Sequence, residues 1–205
     1  NPSWDQLLDP FLMKDMKKSI LRIKQAIDQQ QRIMIFGDFD ADGITATIIL
    51  VHALKSLGAL VSYRIPNRNK DSHGLKKYLI DEIAEKSVDL IITCDCGTND
   101  FEEIEYAYQL GIDIIITDHH QQDSAKISDK AIGIINPHQE SCDYPEQNLS
   151  GSGVAFKVIQ ALSTYYFKEN PALQRDLLAE YLPISAIGII TDCVPLQGES
   201  RVISA

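Results

Sequence analysis

Three carboxylates alternate in the stretch Gly37-Asp38-Phe39-Asp40-Ala41-Asp42-Gly43. Two ionised carboxylates about 4 Å apart repel by ~4 kcal/mol at an effective dielectric of roughly 20. Such a cluster calls for cationic compensation, and divalent ions that prefer hard oxygen ligands supply it. The plain alternative is an acidic loop that caps the following helix. One aspartate would suffice for that, and three between two glycines exceed it. Two more groups carry the same chemistry: Asp95 in Cys94-Asp95-Cys96-Gly97, and the triplet Asp118-His119-His120. Carboxylate with imidazole suits manganese, and also magnesium or zinc, while no thiolate pairs stand at zinc-finger spacing. Two ions ~3.5–4 Å apart that share a carboxylate clamp an in-line attack on phosphorus. Taken singly, each residue has a structural alternative: Asp95 as a turn former, Asp118 as a turn cap, and the histidines as one buried and one solvated.

The surrounding pattern must position these groups. The apolar run 33–36 reads as a short buried strand leading into the acidic loop, and 44–54 as a buried helix. Before them, 1–14 is an irregular lead-in and 15–29 an amphipathic helix with Met16, Ile20, Ile23 and Ile27 at helical spacing. Strands are expected at 61–65, 88–93, 112–117 and 131–135, and helices at 75–86 and 99–110. A polar loop with basic groups spans 66–74. This alternation predicts an α/β fold, a doubly wound, mainly parallel five-stranded sheet with flanking helices. From residue 148 the pattern turns helical, with helices expected at 154–167, from Pro171 to Tyr181, and from a fresh start at Pro183 through 184–190 up to Asp192. In a parallel sheet the strand ends share one edge, so Asp38, Asp40, Asp42, Asp95, Asp118, His119 and His120 converge there.

The bulk numbers limit the function. A chain of 205 residues with 44% apolar content buries a sizeable core. Its net charge of −10, from 19 basic and 29 acidic residues, argues against a general nucleic-acid coat protein. It leaves a nuclease open, because bound metals change the local field. No apolar run is long enough for a bilayer, and no signal-peptide pattern opens the sequence. Cys94, Cys96, Cys142 and Cys193 form no disulfide framework, so a reducing cytoplasm is expected.

The Asp-His-His triplet after an apolar strand, with Asp-x-Asp-x-Asp-Gly after the first strand, resembles the DHH phosphoesterase superfamily. Within it the ordered motifs are similar to the RecJ-like single-strand-specific exonucleases: Gly37 to Thr45, Ile65-Pro66-Asn67-Arg68, Asp95-Cys96-Gly97, Ile135-Asn136-Pro137-His138-Gln139, Cys142-Asp143-Tyr144-Pro145, Ser150 to Lys157, and Asp192-Cys193-Val194-Pro195-Leu196. The resemblance implies a metal-dependent phosphodiesterase hydrolysing single-stranded DNA from the 5′ end to mononucleotides with two ions, manganese first and magnesium as the alternative. It implies that Asp40 and Asp95 hold one ion with Asp38 beside it, and that Asp42, Asp95, His119 and Asp192 hold the other. His120 would face the scissile phosphate and Arg68 would bind a substrate phosphate. It also implies work in DNA repair and recombination, with a single-strand-binding protein or helicase as partner. On this basis 1–31 is lead-in and 32–205 a DHH catalytic domain, mainly helical from 148. The DHH-associated and OB-fold domains of such proteins are absent from the chain, which is expected to be part of a longer protein.

Some features stay open. The turn Ser150-Gly151-Ser152-Gly153 either points N–H groups at an anion or lets helices pack closely. RecJ-like proteins usually carry Glu-Gly-Tyr-Gly where this sequence has Asp71-Ser72-His73-Gly74. Cys94, Cys96 and Cys193 are candidates for a soft-metal or redox site, against the plainer role of buried cysteine as a small hydrophobe. Competing functions are an oligonucleotide or cyclic-dinucleotide phosphodiesterase, a pyrophosphatase, disfavoured by Phe36 where a ligand histidine belongs, and a non-catalytic scaffold, disfavoured by the complete acid set.

Overall fold

The computed structural model describes residues 2–126 and 128–205. Five strands form the sheet: β1 (Arg32–Phe36), β2 (Leu60–Arg64), β3 (Leu90–Thr93), β4 (Asp113–Thr117) and β5 (Gly133–Ile135). Every pairing is parallel, in the order β2-β1-β3-β4-β5. The doubly wound α/β expectation holds. The order reverses direction between β1 and β3, which opens a crevice outside the carboxyl ends of those two strands.

Strand periodicity divides the core in two. Side chains alternate across a pleated strand, so Ile33 and Ile35 of β1 enter one apolar cluster while Met34 and Phe36 enter the other. The first cluster includes residues of α1 (Met16–Asp28), α2 (Ala41–Ser56) and α5 (Gly151–Tyr166). The second includes residues of α3 (Lys77–Ala84) and α4 (Phe101–Gln109). Strands β1 and β3 are buried on both faces, hence their continuous apolar runs.

One expectation about the helical part needs correction. The separate helices expected on either side of Pro183 are one helix, α6 (Pro171–Thr191), with Pro183 inside it. An interior proline costs about 3 kcal/mol. Burial on both sides of it outweighs that cost. Tyr181 packs under α2 with its hydroxyl 3.0 Å from His52 Nδ1, and Ser185, Gly188 and Ile189 are buried beyond it. At Gly188 a side chain would collide with Ser152, Asp42 and Thr45, so glycine permits α6 to reach the first turns of α2 and α5. Helix α6 thereby delivers Asp192, its C-cap residue, to the edge of the sheet. A further helix, α7 (Gly198–Ile203), has no apolar periodicity to announce it.

One buried ion pair holds α7. Glu199 Oε1 accepts from Lys157 Nζ of α5 and from the Leu8 amide, both at 2.7 Å, and Oε2 accepts from the Tyr144 hydroxyl. Lys157 also donates to the Leu8 carbonyl at 2.7 Å. Distant stretches, from the lead-in to α7, therefore meet at one charge pair with side-chain exposures of 0% and 1%. Breaking a buried pair leaves an uncompensated charge, at a cost of about 3–5 kcal/mol. Glu199→Ala should lose that much stability in urea unfolding, and the doubly apolar Lys157→Met/Glu199→Leu variant should lose less.

Candidate metal centre

The first strand end builds the acidic turn. Asp40 is the N-cap of α2, and its Oδ1 accepts from the Gly43 amide at 2.9 Å. Asp42 sits in the first turn of α2, buried, facing the amino end of α5. Its two oxygens accept from the amides of Gly151 at 2.5 Å and Ser152 at 2.9 Å. A helix amino terminus carries partial positive charge and free N–H donors, so it stabilises this carboxylate. The glycine-rich turn thus does point amides at an anion, and the anion is the protein's own Asp42. The same turn also allows close approach: a Cβ on Gly151 would stand 2.5 Å from Asp95 Cβ, and one on Gly43 would stand 2.6 Å from Asp38 Cβ.

The third and fourth strand ends supply the rest. Asp95 follows β3 in the left-handed region, at φ 61°, where few residues other than glycine are comfortable. His119 follows β4. Its Nε2 lies 3.0 Å from Asp95 Oδ1, 3.7 Å from Asp192 Oδ2 and 3.8 Å from Asp42 Oδ2. Three donor sets result, each with its ligand atoms within 4.8 Å of one another: Asp38 with Asp40 and Asp95, Asp42 with His119 and Asp192, and Asp95 with His119 and His120. Asp95 and His119 each belong to two sets.

The polar atoms left without partners identify what fits here. Asp38 Oδ1, Asp95 Oδ1 and His119 Nε2 are buried and make no hydrogen bond. Such atoms cost about 1–3 kcal/mol each when unsatisfied. All three face donor sets made of carboxylate oxygen and imidazole, the chemistry of a divalent cation of the manganese or magnesium type. Among the described residues no such set contains a cysteine. Cys94 and Cys96 are buried, with burial pushing both thiols up, and Cys193 is exposed. Cys94 and Cys96 thus pack as small hydrophobes, and the soft-metal expectation finds no donor set among the described residues.

Ionisation follows the same geometry. Burial pushes the Asp95 carboxyl up to about 8, and the charges of Asp42 and Asp118 add to the effect while His119 opposes it. Burial disfavours a charged His119, yet the Asp95 carboxylate beside it outweighs burial and raises its pKa. Burial also raises Asp192. Asp118 behaves differently. Burial alone would raise it, but hydrogen bonds from His120 and Thr98 hold it at about 2. Its Oδ1 faces His120 Nδ1 at 2.7 Å and accepts the amides of His119 and His120, and Oδ2 accepts from the Thr98 amide at 3.0 Å. The bond to Asp118 in turn raises His120 to about 9.

Asp38, Asp40, Asp42, Asp95, His119, His120 and Asp192 therefore all stand at one edge. Arg68 stands at its rim, with its guanidinium carbon 5.2 Å from the Phe39 ring centroid. Asp118, first in the triplet, braces the turn, as its structural alternative had it. Asn136 completes that brace, donating to Thr98 Oγ1 and to the His120 carbonyl at 2.9 Å each. Two features had no local signal: the amides of Gly151 and Ser152 on Asp42, about 110 residues away in sequence, and the contact of His73 with Asp38. The only hint of the second was the unusual sequence around His73.

A switch-point crevice ringed by carboxylates and imidazole, on a 2-1-3-4-5 sheet, defines an α/β domain with a site fitted to divalent cations. Residues 32–189 match the DHH family, N-terminal domain, and the chain belongs to that family. Among curated proteins it is similar to the single-stranded-DNA-specific exonuclease RecJ of Bacillus subtilis (strain 168), 43% identical over 196 residues, covering 96% of this chain and 23% of that protein. Among solved structures it is similar to an exonuclease RecJ bound to manganese, with TM-score 0.81, 32% identity, 94% of this chain and 46% of that one. RecJ from Thermus thermophilus in complex with Mn2+ gives TM-score 0.75, 31% identity, 93% of this chain and 26% of that one. The same protein with Mg2+ gives TM-score 0.60, 27% identity, 94% of this chain and 22% of that one. The chain thus spans less than half the length of each relative, and the centre it carries is suited to divalent metal.

Because Asp95 holds a proton up to pH of about 8, a cation must displace it. Manganese affinity of the chain should therefore rise as pH goes from 6 to 8, by up to about tenfold per unit, and level off above. Calorimetry in buffers of different ionisation heat should show at least one proton released on binding.

Proposed function

We propose that residues 32–205 form the catalytic domain of a divalent-metal-dependent phosphodiesterase that removes mononucleotides from the 5′ end of single-stranded DNA. The observation that carries this reading is the place of Asp95, shared between the Asp38/Asp40 set and the set with His119 and His120, while His119, 3.0 Å from it, also belongs to the set with Asp42 and Asp192. A carboxylate shared in that way is what a two-ion clamp on phosphorus requires. The names of the relatives, single-stranded-DNA-specific exonucleases, supply the substrate class.

When bound, the ions, manganese first and magnesium as the alternative, activate water and offset the charge that builds on phosphorus. Asp40 and Asp95, with Asp38 adjacent, hold one position. Asp42, Asp95, His119 and Asp192 hold the other. The amides on Asp42 and the Gly43 amide on Asp40 orient these carboxylates. His120 is half exposed, with Nδ1 engaged by Asp118, so it carries a proton on Nε2 at neutral pH. That N–H is the chain's own donor to a phosphate oxygen at the reacting centre. Arg68 at the rim takes a neighbouring phosphate as a planar two-pronged donor. The setting is the cytoplasm, with single-stranded DNA exposed in repair or recombination and a single-strand-binding protein or helicase at hand.

The test is release of mononucleotides from 5′-phosphorylated single-stranded DNA with manganese. It should be run on the chain and on a chimaera in which these residues replace the matched segment of the Bacillus subtilis relative. Activity should start from the 5′ end, and Asp95→Ala should lower it by about 10³-fold or more, the several kcal/mol of charge stabilisation lost with the shared ligand. A metal-loaded chimaera that leaves DNA intact and cleaves only short oligonucleotides or cyclic dinucleotides would replace this reading with the alternative phosphodiesterase.

A further inference from the structure

His73 lies outside every donor set, yet its ring is aimed into the centre. Nδ1 is 2.7 Å from Asp38 Oδ2, an atom of a side chain only 3% exposed. The ring packs on Phe39, with centroids 4.2 Å apart and planes tilted by 45°. Phe39 is also the ring under the Arg68 guanidinium. The segment 66–74 therefore touches the acidic turn twice, once through His73 and once through Arg68.

The backbone around His73 is fixed. Gly74 has φ of +79°, and a Cβ there would lie 2.5 Å from a carboxylate oxygen of Asp100. The same oxygen of Asp100 accepts from the Leu75 amide at 2.6 Å, and Lys76 Nζ donates to the His73 carbonyl at 2.9 Å. On the other side, Asp71 accepts from the Asn67 amide at 2.7 Å and from the Tyr78 hydroxyl, and the Asp71 amide donates to the Asn67 carbonyl at 2.8 Å. The loop is closed by its own hydrogen bonds, so the ring of His73 is presented to Asp38 by a pre-formed frame.

With Oδ2 of Asp38 engaged by His73, Oδ1 is left buried and unpaired, and Asp38 belongs to the set with Asp40 and Asp95. We infer that His73 is a positioning residue: it fixes the Asp38 carboxylate for the cation held with Asp40 and Asp95, and ties the loop that carries Arg68 to that position. This rests on the metal centre proposed above. Residues that orient ligands from behind typically change metal affinity by about 10–100-fold when removed.

The test uses manganese alone, without DNA, on the 205-residue chain. At two equivalents of Mn2+ the wild type should give the exchange-coupled electron paramagnetic resonance spectrum of a pair of ions. His73→Ala should weaken the Asp38/Asp40/Asp95 position by about 10–100-fold, so that uncoupled six-line Mn2+ signal appears at the same loading. Its metal-free unfolding temperature should be unchanged. His73→Asn, which puts an amide N–H where Nδ1 stood, should restore most of the coupling, and His73→Gln, which reaches to the place of Nε2, should not. Wild-type affinity and coupling in His73→Ala would overturn the inference and leave the two-metal reading standing. Equal rescue by Asn and Gln would also overturn it, as would a loss of coupling that only follows a fall in metal-free stability. A wild-type chain that binds no manganese pair would overturn both readings at once.

Discussion

The structure is arranged around the mutual repulsion of carboxylates brought to the mouth of β1 and β3. Asp42, Asp95 and Asp192 stand about the His119 imidazole, with Asp38 and Asp40 grouped beside Asp95, and at such spacing each close pair costs several kcal/mol unless something opposes it. The fold opposes it unevenly. Asp42 rests on two amides of α5, Asp40 caps its own helix, and Asp38 meets His73. Asp95 is served least. It sits in a left-handed backbone conformation, keeps a buried oxygen unpaired and holds its proton up to pH of about 8. The repulsion is thereby relieved by a proton on the residue shared between donor sets, the place a divalent cation would take. The glycines at 43, 151 and 188 belong to the same constraint, because any side chain there would hold the helices and acidic residues apart.

The adjacent histidines show how one turn separates two tasks. His119 points inward to Asp95, Asp42 and Asp192, and its nitrogen has no hydrogen-bond partner. His120 turns outward, and Asp118 keeps it charged. Asp118 achieves this because three amides and an imidazole surround it, so burial fails to neutralise it. The carboxylate serves geometry and holds a proton on His120, and the triplet places an imidazole that faces the acids and an exposed, charged imidazole on consecutive residues.

Much of this was legible in the sequence for a simple reason. Parallel strands buried on both faces are unbroken apolar runs, and a parallel sheet puts all their exits on one edge, so Asp40, Asp95 and His119 converge from pattern alone. What was not legible depends on tertiary context. Pro183 reads locally as a helix start, but the burial of Tyr181 before it and Ser185 after it carries the helix through. Residues 198–203 lack an apolar stripe, and their helix depends on Glu199 meeting Lys157 across 42 residues. Strand order, the capture of Asp42 by α5 and the reach of His73 to Asp38 are likewise contacts between distant segments, to which local spacing is blind.

Charge decides how such a domain can engage DNA. A chain of net charge −10 repels a polyanion, but at physiological salt that repulsion fades beyond about 8 Å. Close to the crevice the balance is local. There the chain offers His120 and Arg68 as cations, and the carboxylates become attractive to phosphate only through the ions they hold. Under the proposed function, affinity for the reacting phosphate and the capacity to cleave it would depend on the same loading, which couples recognition to chemistry within one cluster. A loop that ties Arg68 to Asp38 through Phe39 and His73 is placed at the junction of those two demands. Under the proposed function, it joins the rim that would bind phosphate to a carboxylate that would hold the ion.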